Sequence, residues 1–249
     1  MEWLSAKDIR RTARSFKPST GIGCDGWEFA MWAEMEDEEL EGMVEVAKKC
    51  ARNVTWPSAC NLALLHLIGK KGNGSRTVAT LPSLYRVLMK ATRGPVTEWE
   101  DARAGFWDKA VREASALKAA LARALQVEVA VAQGKSAHML LWDVEGFYES
   151  IHLDILLPKC EHLGFPSWQV AMGAQVVLLP RAMGFEGAVG EPISYQGRSI
   201  VTGCPLGTSF TKALLYEAPD QIAHRLPEAV AEEYVDDLAQ VVTQDTAEE

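Results

Sequence analysis

Between Val46 and Thr97 the chain has no aspartate or glutamate, yet over all 249 residues acids outnumber bases, 34 against 25, for a formal net charge of -9. An acidic chain is by itself a poor partner for phosphate backbones, which are bound through Lys and Arg. The acid-free stretch weakens that exclusion, because it holds Lys48, Lys49, Arg52, Lys70, Lys71, Arg76, Arg86, Lys90 and Arg93. The acids gather elsewhere, at Glu34 to Glu41 and in the C-terminal tail. Such segregation permits a positive surface on an acidic protein, or simply one basic helix face. Cysteine is sparse too. The five are Cys24, Cys50, Cys60, Cys160 and Cys204, an odd number without CxxC spacing, which argues against a disulfide framework or a zinc site. The histidines form no HExxH. Apolar runs such as Val176 to Leu179 are too short to cross a bilayer. The opening MEWLSAKDIRRTARSF has charges where a signal peptide needs an apolar centre. The expectation is a reduced, soluble, intracellular protein; Arg10-Arg11 is too short a basic run to choose between nucleus and cytoplasm.

Hydrophobic residues make up 48% of the chain, enough to bury a core in one large domain or two small ones. Trp27 to Lys49 reads as one helix with an acidic face. Ser58 to Ile68 is apolar and ends extended, Lys70 to Gly74 is a turn, and Arg76 to Val87 is strand and then helix. The Ala-rich segment Glu98 to Gln133 reads as one or two helices ended by Gly134. HMLLWDV, His138 to Val144, fits a buried strand. Helices follow over Ser150 to Leu163 and Pro166 to Leu179. A hairpin over Ile193 to Val201 turns at Gln196-Gly197, and Gly207 to Glu217 is helical again. Ala231 to Val242 forms two strands with an aspartate pair at their bend. This order predicts an α+β fold with an antiparallel-rich sheet and helices on one face.

The pair Asp236-Asp237 interrupts the apolar, β-prone run EYVDDLAQVV. Asp is favoured in turns for local hydrogen bonding, so a turn alone accounts for a lone doublet. The alternative is a metal site. Mg²⁺ takes hard oxygen ligands, usually one or two carboxylates together with phosphates and water. Neighbouring strand residues point to opposite faces, so a second acid has to come from elsewhere. Asp143, at the end of the apolar strand, is the candidate, since a charge there is costly unless paired or bound to a metal. If the strands are neighbours, Asp143 faces Asp236, and two cations about 3.5–4 Å apart could bridge them for an in-line phosphoryl transfer.

Five segments in order resemble the reverse transcriptases, RNA-directed DNA polymerases, and specifically those of LINE-type (non-LTR) retroelements. LLWDVEGFYESI is similar to their motif A, VTGCPLGTSFTKALL to motif B and EYVDDLAQVV to motif C. FKPSTGIGCDGW resembles the Lys…Gly…Asp-Gly segment that opens the domain, and LLHLIGKKGNGSRTVATLPSLYRVL resembles the fingers segment. The resemblance runs from Lys17 to Val242. It implies a right-hand polymerase: a palm with a ferredoxin-like antiparallel sheet at 137–249, and mixed helical fingers at 1–136. Asp143 and Asp236 would hold two Mg²⁺ (or Mn²⁺) ions, assisted by the Val144 carbonyl, with Asp237 as third acid. Arg76, and Lys70 or Lys71, would contact the incoming triphosphate. Gly203 and Gly207 would let the backbone approach template and nascent pair, and the Tyr148 ring would disfavour a 2′-hydroxyl. The implied partners are an RNA or DNA template with primer and dNTPs, with no membrane.

Glu149 stands where the family usually has Asp, Thr77 where Pro follows the Arg, and Thr211-Lys212 where Ser-Pro is common. Related RNA-templated RNA polymerases tend to have Gly where this chain has Val235. The chain extends little beyond motif C, so the resemblance implies a fingers-plus-palm fragment without a thumb, complemented by thumb or endonuclease regions of a longer polyprotein. The alternative is a catalytically inactive polymerase-like remnant acting as a nucleic-acid-binding or scaffold module.

Overall fold

The computed structural model describes residues 4–69, 72, 74–111, 113–185, 188–194, 197–226 and 228–245. Helix α1 (Ala6–Arg14) starts in a capping box: the Ser5 hydroxyl accepts from the Asp8 N–H, and the Asp8 carboxylate accepts from the Ser5 N–H. The expected single helix over Trp27 to Lys49 is in fact two, α2 (Phe29–Glu34) and α3 (Asp37–Asn53). The chain is extended at Met35 and Glu36, and the Glu36 N–H is taken by the Glu39 carboxylate in a new N-terminal box. Arg10 fixes the break by donating to the Asp37 carboxylate and the Met35 carbonyl.

Strands β1 (Ala63–Gly69) and β2 (Ser75–Thr80) pair antiparallel from Leu64↔Thr80 to Gly69↔Ser75. In the turn between them, Lys70, Lys71 and Asn73 lie outside the described residues. Helices α4 (Ser83–Ala91), α5 (Gly94–Ala102) and α6 (Ala116–Ala132) follow, then β3 (Lys135–Trp142). The chain continues through α7 (Phe147–Ser150), α8 (Leu153–His162), α9 (Ser167–Val177), β4 (Arg181–Phe185) and β5 (Ala188–Val189). It closes with α10 (Gly207–Leu215), α11 (Glu217–Arg225), β6 (Ala229–Tyr234) and β7 (Asp237–Asp245). The fold is α+β.

Two compact units divide the chain: Met1–Thr97 with Tyr148–Gly207, and Glu98–Phe147 with Thr208–Glu249. They interleave in sequence, so the expected boundary at 136/137 falls inside β3 of the second unit. The first unit has a mixed sheet, β2-β1-β4-β5, in which β1 and β4 are parallel. Its core buries Ile9, Trp32, Leu40, Tyr85, Leu88 and Met172 almost completely. Among the described residues the segment Ile193 to Val201, expected as a hairpin, forms no strand, and Gln196 at its expected turn lies outside them. Ile193 and Arg198 instead make single bridges to Arg181 and His152. The cause is the buried Arg181 guanidinium, which donates to the carbonyls of Arg198 and Ser199 and to the Ser199 hydroxyl and so draws the segment toward β4.

The second unit is built on an antiparallel sheet, β3-β7-β6, with the register Lys135↔Asp245 to Trp142↔Leu238 and Ala229↔Val242 to Tyr234↔Asp237. Asp108 bridges Glu233 along the outer edge of β6. Strand β3 was expected to be buried, but Met139 to Trp142 are exposed. It is an edge strand, with no strand partner on its far side among the described residues.

Candidate active site

The aspartate doublet sits in a two-residue hairpin connection. Tyr234 pairs with Asp237, leaving Val235 and Asp236 as the central residues. Val235 has φ 60, whereas Asp236 keeps a negative φ. A positive φ at the first central residue only is the pattern of a type II′ turn, which suits right-twisted strands and favours Gly there. A β-branched side chain in that conformation stores strain of about 1–3 kcal/mol.

The sheet brings the distant acid to this turn. Trp142 pairs with Leu238, so Asp143 and Asp237 are the next residues along the two neighbouring strands. The register therefore sets Asp143 level with Asp237, and Asp236 sits beside them in the turn. Asp143, Val144 and Asp237 are exposed and Asp236 is half-buried. Partial burial, then the charges of Asp236 and Asp143, push the Asp237 carboxyl above its ordinary range, partly offset by Arg123. Three carboxylates feel one another at this end of the sheet. Among the described residues no group of three or more His, Cys, Asp or Glu is placed to hold a metal ion by itself. The carboxylates of Asp143, Asp236 and Asp237 are hard-oxygen groups of the kind Mg²⁺ takes together with water and phosphate, and a cation among them would relieve the crowding of charge.

Behind the turn lies a second charged group that sequence reasoning missed. Lys212 Nζ is 2.5 Å from Asp108 Oδ2, and both residues are buried. Asp108 is joined to β6 through its neighbours: the Lys109 N–H donates to the Glu233 carbonyl (2.7 Å) and the Glu233 N–H to the Trp107 carbonyl (2.9 Å). Burial first, and then the Asp108 charge, push the Glu233 carboxyl up to about 8 against the pull of Lys212. Glu233 is thus largely protonated at neutral pH. Glu232, the residue before it, is ion-paired instead with Lys109 and Arg123, each at 3.5 Å. The only sequence signals were the departure at Lys212 and two acids in an otherwise β-prone segment.

The remaining expected residues belong to the first unit. Arg76 is exposed on β2, opposite Ile68; Lys70 and Lys71 lie outside the described residues. Gly203 has φ 102, and a Cβ there would come within 2.6 Å of the Ala79 carbonyl. Its smallness is needed to seat the loop on β2, where the Ala79 N–H donates to the Thr202 carbonyl (2.8 Å). Arg93 donates to the Pro205 carbonyl, and the Tyr85 hydroxyl lies 3.0 Å from Cys204 Sγ. Gly207 is buried beside the Tyr148 ring, 3.7 Å from where a Cβ would stand.

The opening Asp-Gly segment also has a structural task. Asp25 accepts from the Leu84 N–H and the Ser83 hydroxyl at the start of α4, and the Trp32 indole donates to Ser83. Two cations of the acid-free stretch are held locally: Arg86 lies over the Phe29 ring (4.7 Å) and donates to the Gly21 carbonyl, and Lys90 lies over Phe16 (4.4 Å).

A family model described as reverse transcriptase (RNA-dependent DNA polymerase) matches residues 68–248. The chain belongs to the reverse transcriptase family. That span includes Arg76, the Asp143 strand, the 202–207 loop and the aspartate hairpin. Reverse transcriptases generally use divalent metals. Among curated proteins none matches significantly. Among solved structures, apo telomerase from Candida tropicalis, truncated from its C-terminal domain, shares the fold at a TM-score of 0.54 and 10% identity. The match covers 86% of this reverse transcriptase chain and 53% of the telomerase chain, so this chain spans about half the length of that relative. No helix among the described residues is long and apolar enough to cross a membrane.

Proposed function

We propose that the chain is the fingers and palm of a LINE-type (non-LTR) retroelement reverse transcriptase, and that it extends a primer by nucleotidyl transfer from dNTPs on an RNA template. One observation carries this reading: Asp143 is brought level with the Asp236-Asp237 hairpin by the β3–β7 register, inside the span that matches the family. Asp143 and Asp236 are the acids that would hold divalent ions, with the Val144 carbonyl beside them. Mg²⁺ or Mn²⁺ held there would supply a Lewis acid for the primer 3′-hydroxyl and charge neutralisation for the departing pyrophosphate. Asp237 keeps negative charge at the site and takes up a proton more readily than a free aspartate. Arg76, with Lys70 and Lys71, neutralises the triphosphate. Tyr148, packed on Gly207, excludes a 2′-hydroxyl. The 202–207 loop presents backbone to the nascent pair.

The test is primer extension on an RNA template with Mg²⁺ and dNTPs, wild type against Asp236→Ala. The reading predicts extension by the wild type only, with dNTPs used in preference to rNTPs. Equal incorporation by both proteins removes Asp236 from the mechanism.

A second reading is a nucleic-acid-binding module without catalysis. It is favoured by the lack, among the described residues, of three side chains placed to hold a metal. It predicts template binding that is indifferent to Mg²⁺ and no extension by either protein.

A further inference from the structure

The Asp236-Asp237 doublet lies at the tip of the β6–β7 hairpin, and a hairpin of two strands has little stiffness of its own. Something must hold its height and tilt, because a displacement of about 1 Å in reacting groups can cost as much as 100-fold in rate. On one side β7 pairs with β3. On the other, the edge of β6 meets, among the described residues, the short segment around Asp108, while α11 packs against the strand. That segment is fastened from below by Lys212 of α10, whose ammonium also lies 3.4 Å from the Glu100 carbonyl. Glu100 in turn accepts from the Ser209 hydroxyl one turn earlier on α10 (2.6 Å).

We propose that Lys212 and Asp108, with the Glu233 carboxyl packed against them, form a positioning clamp that sets the Val235-Asp236 turn for metal binding.

Three features support the clamp. Lys212, Asp108 and Glu233 are 7%, 5% and 2% exposed, so the ion pair works in a medium where charges act strongly. Glu233 is bonded through its backbone to the Asp108 segment and lies two residues before the strained Val235. The charges facing Glu233 are Asp108 and Lys212. The neighbouring Glu232 is paired with Lys109 and Arg123, and Arg123 also offsets the charge around Asp237. Ionisation of Glu233 would set two acids against one ammonium, and its high pKa keeps that from happening at neutral pH. By the resemblance, Thr211-Lys212 stands where the family commonly has Ser-Pro.

This proposal rests on the polymerase reading for its purpose, and the test separates the two. Mn²⁺ affinity by electron paramagnetic resonance and single-nucleotide primer extension are measured on the wild type, D108N/K212M, K212R and D108N. The double variant removes both charges together and so avoids stranding either one. The clamp predicts a folded double variant whose Mn²⁺ affinity falls about tenfold and whose kcat falls about 10- to 100-fold, with dNTP KM within about twofold. K212R, which restores the charge, is expected to recover most of both. D108N, in which Glu233 can ionise to receive Lys212, shows the same defects at a few-fold level and serves if the double variant does not fold. Wild-type Mn²⁺ affinity in D108N/K212M or in D108N overturns the clamp. If the wild type binds Mn²⁺ but extends no primer, the polymerase reading fails and the Mn²⁺ arm alone judges the clamp.

Discussion

The two units differ in how much charge they bury. In the first, Ile9, Trp32, Leu40, Leu88 and Met172 fill the core, and cations such as Arg86 and Lys90 are spread over aromatic faces near the surface. In the second, Asp108, Lys212, Glu232 and Glu233 are buried, while Leu117, Leu121 and Leu125 of α6 and Leu140 to Trp142 of β3 are exposed. The first unit follows the usual sorting of residues except at the buried Arg181; the second inverts it over a whole cluster. The lesson is that the second unit is organised around the acid-bearing hairpin. A buried ion pair contributes little net stability against an apolar substitute. Its use here is directional, because it fixes one strand edge.

The comparison can be broken at several points. Lys212→Met strands Asp108 in the interior and is expected to cost about 3–5 kcal/mol in chemical denaturation; a loss under about 1 kcal/mol would mean that the charges are not buried as a pair. Leu88→Ala, in the conventionally packed unit, is expected to cost about 2–5 kcal/mol by the ordinary cavity mechanism, with no dependence on pH. Glu233 supplies the contrasting case. Its folded pKa of about 8 lies above the ordinary 4.5, so its stabilising contribution is complete below about pH 4.5 and disappears as pH rises through about 8. The wild type should therefore lose on the order of a few kcal/mol across that window relative to Glu233→Gln, read as two unfolding curves that converge at low pH. Parallel curves would show that Glu233 ionises normally. Val235→Gly relieves the positive φ and, after its own entropy cost, should stabilise by about 1 kcal/mol at most. The smallest effect is expected for Leu121→Ala on the exposed face of α6, within about 0.5 kcal/mol.

Much of this was legible in the chain itself. The apolar, β-prone run around the aspartate doublet announced two strands and a turn, and the structure has β6 and β7 there. Asp143 at the end of HMLLWDV announced a second acid. Its level with Asp237 depends on a strand register that local patterns do not carry. The burial of β3 was misread because an apolar run looks the same in a central strand as at an open edge. The break at Met35-Glu36 was hidden because it depends on Arg10, more than twenty residues away. In the segment expected as a hairpin over Ile193 to Val201, Ser199 is held by the buried Arg181 guanidinium, a bond that local patterns do not carry. Lys212 was visible as a departure, but its partner Asp108 lies about a hundred residues earlier and no spacing rule links them.

The central claim is that Asp143 and the Asp236-Asp237 turn share one electrostatic site. NMR titration of the Asp237 carboxyl in the wild type and in Asp143→Asn measures this most directly. The account predicts a wild-type pKa above the ordinary 3.8 that falls when Asp143 is neutralised; a value unchanged by Asp143→Asn would contradict it.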